Sequence, residues 1–221
     1  MSTPEEKHLF RVSLETSLTL LAFVIFFTAL SAWVYLFTKP TIEASAKLER
    51  LVFFNQVLPS HLYNNDPMND TLTLPPEPAL GQRLSSQVYR ARMNGKPAGL
   101  ILEAVAPDGY SGDIKMLIGL DAKGHLLSVR VTEHKETPGL GDYIDPKKDR
   151  NKARPWISQF DNLPALSDVQ WHVKKDGGTF DAVAGATVTP RAVVKAVHKA
   201  VQFAQANLTL LFAPAKSKPA E

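Results

Sequence analysis

The stretch VYRARMNGKPAGLILEAV, Val88 to Val105, decides how the chain folds. Two runs suited to strands, Val88–Met93 and Gly99–Val105, flank Asn94-Gly95. Asn-Gly supplies two residues that accept positive φ, which a two-residue turn between twisted antiparallel strands requires. A second hairpin follows directly: Ile114–Leu120 and Leu126–Thr132 flank Asp121-Ala-Lys-Gly-His125. Four such runs in succession predict an antiparallel meander. A third hairpin is expected from Trp171–Lys174 and Phe180–Val183 around Asp176-Gly177-Gly178. Beyond it, Val193, Val197, Ala200 and Ala204 recur at helical spacing and give a helix with one apolar face. The predicted fold class is α+β, a mainly antiparallel sheet with helices packed on it.

Upstream, the chain changes character. Ser17 to Phe37, SLTLLAFVIFFTALSAWVYLF, carries no charge. As a helix it spans roughly 31 Å, close to the hydrocarbon thickness of a bilayer. Trp33 and Tyr35 lie near its far end, just before Lys39, as an interfacial belt would. A cleaved signal peptide has a shorter apolar core and a small-x-small site. Here the best such site, around Ser31 and Ala32, runs on into more apolar residues, so an uncleaved single-span anchor is expected. Lys7 and Arg11 on one side against Lys39, Lys47 and Arg50 on the other do not fix its orientation. Thr41 to Leu58 reads as a helix joining anchor to domain, and His61 to Gly81, rich in Asn, Asp and Pro, reads as linker. The expected organisation is residues 1–16 as an N-terminal segment, 17–37 as the span, 38–81 as connecting helix and linker, 82–212 as the folded domain and 213–221 as a disordered tail.

Composition removes several classes of function. The chain has 221 residues, 44% of them hydrophobic, enough for a core. The net charge of +3 is scattered, without a basic stripe interleaved with aromatics, so nucleic acid is not an expected partner. The lack of cysteine excludes disulfides, thiolate zinc sites and iron–sulfur ligation. The histidines, His8, His61, His125, His134, His172 and His198, are dispersed without ligand spacing, and no metal site is expected. The glycines form neither a P-loop nor a dinucleotide fingerprint. No catalytic residue set is read.

Two segments are left with chemistry in them. In DAVAGATVTPRAVVKAV, Asp181 to Val197, Pro190 suits the first position of a helix and Thr189 its N-cap. The free N–H groups of a first turn favour a phosphate. Arg191 adds a cation, and Gly185 and Ala186 let a bulky ligand approach. An ordinary Thr-Pro cap would look the same. In HKETPGLGD, His134 to Asp142, a loop with Pro138, Gly139 and Gly141 follows a strand and can expose backbone groups to a flat ring. Glu136 and Thr137 could hydrogen-bond its polar edges, although a connecting loop has the same composition.

Taken together, DAVAGATVT (Asp181–Thr189), ETPGLG (Glu136–Gly141) and Tyr110-Ser111-Gly112 resemble the FMN-binding domain family. The order of anchor, linker, strands, ETPGLG, Trp156-Ile157…Phe160 and GATVT resembles the G subunits of Rnf (Rsx) electron transport complexes over most of the chain. That resemblance implies FMN attached by a phosphoester to Thr189, with Gly185, Ala186 and Thr187 beside the phosphate. It implies Glu136, Thr137, Pro138, Gly139, Leu140 and Gly141 on the ring side, Tyr110 near the flavin, and Asp181 serving the transferase that installs it. It further implies an electron-carrier subunit of an ion-translocating ferredoxin:NAD oxidoreductase, with no turnover alone. Its partners would be iron–sulfur, flavin and membrane subunits. By the same analogy the chain sits in a bacterial inner membrane with residues 1–16 cytoplasmic and the FMN domain periplasmic. One position departs: Ala184 stands where the family usually has Ser or Thr. The alternatives are the C subunit of a sodium-translocating NADH:quinone reductase and a membrane-tethered interaction domain without flavin.

Overall fold

The computed structural model describes residues 4–163 and 166–213. The chain divides into two compact units, Met1–Arg50 and Leu51–Glu221. The first consists of most of α1 (Pro4–Val57). Within α1, the stretch Arg11–Ile42 contains an 18-residue window of mean hydropathy 2.3, none of it buried, so it is long and apolar enough to cross a membrane. The sequence suggested a span and a separate connecting helix. Instead α1 runs through both, with Pro40 inside it. Apart from that proline, residues 38–54 hold no glycine or asparagine that would end a helix.

The second unit is built on a five-stranded antiparallel meander, in spatial order β1 (Thr71–Leu74), β2 (Ser86–Met93), β3 (Lys96–Ala106), β4 (Ile114–Asp121) and β5 (Leu126–Glu133). The two expected hairpins are present. Asn94 and Gly95 take φ of 51° and 77°, the primed-turn conformation that Asn-Gly favours. At β4–β5 the Asp121 carboxylate accepts from the Lys123 and His125 N–H groups, both at 2.8 Å, and Gly124 supplies positive φ.

The segment read as linker belongs to this unit. It contains β1, which pairs Leu72 with Val88, and two 3₁₀ turns, Ser60–Leu62 and Pro78–Leu80. Arg90, wholly buried on β2, holds it in place. Its guanidinium pairs with Asp70 at 2.6 Å and donates to the Thr71 carbonyl at 3.0 Å. Arg90 also donates to the Ala213 carbonyl, so the residue that opens the expected tail is tied down; residues 214–221 lie outside those described.

Strand periodicity splits the sheet's side chains between two faces. Leu100, Leu102 and Ala104 of β3 join Ile118, Val129 and the apolar stripe of α2 (Val188–Ala206): Val193, Val197, Ala200 and Ala204. Tyr89, Ala91, Ile101 and Leu117 face the other way and pack against Phe54, Val57 and Leu58. That second contact is backbone-close, for a Cβ on Gly119 would lie 1.9 Å from the Val57 carbonyl oxygen. The third expected hairpin does not form. Segments 171–174 and 180–183 share a single bridge, Val173 with Phe180 in parallel sense, around a 3₁₀ turn at Lys174–Asp176. The chain curls there because Gly178 lies against His172, whose carbonyl oxygen would be 1.9 Å from an added Cβ.

Two glycines separate packing from backbone strain. Gly119→Ala is expected to cost about 1–3 kcal/mol or more by overpacking, and Gly95→Ala, in open space at φ 77°, about 1 kcal/mol. Urea unfolding followed by circular dichroism ranks the two; equal midpoints would contradict the close approach of Val57.

Candidate functional site

The loop after β5 and the start of α2 are far apart in sequence and meet in space. The loop is folded by its own backbone: the Leu140 and Gly141 N–H groups donate to the Thr137 carbonyl, both at 3.1 Å. The Asp142 carboxylate accepts from the Gly139 N–H at 2.8 Å, and Gly139 takes φ of 76°. Opposite it, Val183 to Ala186 form a β-turn closed by the Ala186 N–H to the Val183 carbonyl at 3.0 Å. Gly185, with φ of 82°, occupies the position of that turn where other residues are strained.

Between these turns lies a cleft of about 150 Å³ lined by Tyr110, Glu136, Thr137, Leu140, Gly141 and Gly185 through Thr189. That is well under the roughly 300–1,000 Å³ of a pocket enclosing a whole ligand, so it accepts part of one. Of the residues singled out from sequence, Pro138 and Gly139 shape the loop without lining the cleft. Tyr110 and Leu140 are 70% and 51% exposed at its rim. Ala184 is exposed on its turn and outside the lining.

At the base of the cleft the Thr189 hydroxyl, 2% exposed, donates to Oε2 of Glu136, itself 4% exposed. The Ser111 N–H donates to Oε1 of the same carboxylate at 2.9 Å. A Cβ on Gly141 would sit 2.6 Å from the Thr189 hydroxyl and 2.8 Å from Glu136 Oε2, so glycine is what lets the loop lie against this pair.

Two expectations change. Thr189 is not the N-cap: α2 begins at Val188 with Thr187 before it, and Thr187 makes no side-chain cap bond. Its φ of −88° and ψ of −14° are already helical, which carries the helix start back past Pro190 and turns Thr189 towards Glu136. Arg191 is bound at both ends of its fork by Asp176, at 2.6 Å each, and does not line the cleft. Asp181 pairs with Lys174 at 2.6 Å.

Several supporting residues receive no role from the sequence. The Tyr143 hydroxyl donates to the Ala186 carbonyl at 3.1 Å and accepts the Val183 N–H at 3.3 Å, fixing both ends of the turn. Tyr143 packs edge-on against Trp156, with ring centroids 5.8 Å apart. The indole N–H of Trp156 donates to the Asp181 carbonyl at 2.6 Å, and Gln159 accepts the Asp181 N–H at 2.7 Å. The 3₁₀ turn Trp156–Phe160 therefore holds the approach to the glycine turn.

Burial raises the Tyr143 phenol above its ordinary value of 10.0. Its contribution to stability is full below that value. It is lost as pH rises further, because the unfolded chain ionises first. Tyr143→Phe is expected to cost about 1–3 kcal/mol near neutral pH by leaving the buried Ala186 carbonyl without its donor, and to flatten the decline in stability above pH about 10. Denaturant unfolding at pH 7 and pH 10.5 checks both; an unchanged alkaline slope would exclude Tyr143 as its source.

Comparison with known proteins adds identity to this geometry. The FMN-binding domain matches residues 109–202, and the RnfG N-terminal region matches residues 9–57. The G subunit of the ion-translocating oxidoreductase complex of Pseudomonas aeruginosa is 44% identical over 206 residues, covering 92% of this chain and 94% of that one. Its counterpart from Escherichia coli K12 is 45% identical over 190 residues, 85% of this chain and 89% of that one. A crystal structure of Shewanella oneidensis NqrC aligns over 70% of this chain and 73% of that chain at 22% identity, with a TM-score of 0.42. With nearly half of its residues shared with the Pseudomonas and Escherichia proteins along almost their whole length, the chain belongs to the RnfG family of ion-translocating oxidoreductase complexes, and its cleft lies in an FMN-binding domain.

Proposed function

We propose that this chain is the membrane-anchored electron carrier of an ion-translocating, ferredoxin:NAD-type oxidoreductase complex, and that it holds FMN through a phosphoester on Thr189. The observation that carries the reading is the convergence of both motif segments on one cleft with the Thr189 hydroxyl at its base.

The residues present suit the phosphate end of a flavin. Val188 and Thr189, the first two residues of α2, line the cleft, and a helix start favours an anion. Gly141 and Gly185 keep Cβ atoms out of its walls. Tyr110 and Leu140 offer exposed apolar surface at the rim, where a ring too large for the cleft would rest. Bound FMN supplies one- and two-electron redox chemistry, while the protein supplies placement and electrostatics. The chain's own part is to position and retain, and substrate turnover falls to the assembled complex. A covalent link keeps the carrier loaded on the periplasmic side of the inner membrane, where we place the domain, with residues 1–16 in the cytoplasm. The link is installed by a separate flavin transferase, and the working partners are the other subunits of the complex.

Coexpression with a flavin transferase, followed by denaturation and gel fluorescence, tests the link. The wild-type band is expected to fluoresce and Thr189→Ala to be dark; a dark wild-type band beside an active transferase overturns the covalent reading. Gly141→Ala, whose Cβ would crowd Thr189, is expected to lower labelling on the order of 10²-fold, as small misplacements of reacting groups do. Topology has its own measurement. A reporter fused after Glu221 is expected to be active in the periplasm, and activity confined to the cytoplasm reverses the assignment.

A further inference from the structure

The charge of the cleft is unexpected for a phosphate site. Among the described residues its lining contains no lysine, arginine or histidine, and Arg191 is occupied by Asp176. Its one carboxyl group is that of the buried Glu136, whose oxygens receive a backbone N–H and the Thr189 hydroxyl. A carboxylate beside an incoming phosphate repels it. A carboxylate that accepts from a nucleophile's hydroxyl is also the geometry of a general base.

We propose that Glu136 is the base that takes the proton of Thr189 when the flavin is attached. This rests on the reading that Thr189 carries FMN. The donor is a flavin dinucleotide held by the transferase, in which an anhydride joins the FMN phosphate to a nucleoside monophosphate. Thr189 Oγ1 forms the new bond to the FMN phosphorus. The anhydride P–O bond breaks, and the nucleoside monophosphate leaves with the electron pair. The proton passes from Oγ1 to Oε2 of Glu136, and nothing is oxidised or reduced. Two features make the protein the proton acceptor. Thr189 is 2% exposed, so bulk water has little access to its hydroxyl, and Oε2 already receives that proton as a hydrogen bond. The transfer also resolves the charge conflict, because the carboxyl is neutral once the anionic phosphodiester has formed beside it. Gly141 and Gly109 make room for the carboxyl, since a Cβ on either would approach a Glu136 oxygen at 2.8 Å or 3.0 Å.

A hydrogen bond that merely joined the loop to α2 would survive an amide, which still accepts; proton removal would not. The full chain in detergent micelles, purified transferase and flavin adenine dinucleotide give initial rates of covalent labelling against acceptor concentration. Glu136→Gln is expected to lower kcat about 10²–10⁴-fold while the half-saturating concentration stays within about two-fold. A kcat within about three-fold of wild type overturns the proposal, as does a defect confined to the half-saturating concentration, which marks a docking contact. Glu136→Ala is the second variant. Formate is expected to raise its labelling rate and formamide, of similar size and uncharged, to leave it unchanged; equal response to both, or to neither, overturns the proposal. Dark wild-type protein sinks the Thr189 attachment itself, whereas labelled wild type with a fully active Glu136→Gln sinks the base alone.

Discussion

The bond from the Thr189 hydroxyl to the Glu136 carboxylate is the point on which the domain's working end depends. It joins the loop after the last strand to the first turn of the long helix. No other residue could replace Gly141 beside it without moving one partner. Everything nearby is arranged to bring the two together. Asp142 closes the loop on one side, and Tyr143, the next residue, reaches across to clamp the turn at Val183–Ala186. The Gly141-Asp142-Tyr143 step therefore builds both walls of the cleft from one short piece of chain. Behind it, Trp156, Phe160, Phe180 and Trp171 pack ring to ring as far as His198 on α2, where the Trp171 and His198 planes differ by 3°. Aromatic pairs of this kind add to area burial. They give an irregular stretch with little regular structure of its own a reason to hold one conformation.

What was legible in the sequence was local. Asn94-Gly95 and the alternation around it specified β2 and β3, because a two-residue turn and period-two burial are both set within a few residues. The stripe of α2 was legible for the same reason. β1 was not: Thr71–Leu74 is short, lies among Asn, Asp and Pro, and is held by the buried Arg90, a contact across the fold. The third hairpin failed because Gly178 sits on His172, which alternation cannot express. At the site, both motifs could be picked out and their neighbourhood came from resemblance. That Glu136 receives the Thr189 hydroxyl could not be read, since the glutamate sits in a loop whose path is set by Thr137 and Asp142. Tyr143 was invisible as a site residue, and Trp156 stood out only as a member of the motif order, because their hold on the Val183–Ala186 turn is made across the fold.

The displacement of Thr189 from the cap into the first turn changes what its hydroxyl is for. An N-cap threonine spends its oxygen on the helix, accepting from the second or third N–H. Here the backbone at Thr187 is already helical, so Thr189 has no such duty and its hydroxyl faces a carboxylate instead. Val188 and Thr189, the first two residues of the helix, line the cleft together with that hydroxyl, and a helix start favours an anion. A cap would have set these two resources in competition, since the same lone pairs would have served the backbone. Placing the threonine two residues past Thr187 separates them, and leaves its hydroxyl free of capping at the base of a cleft that a helix start makes favourable to an anion.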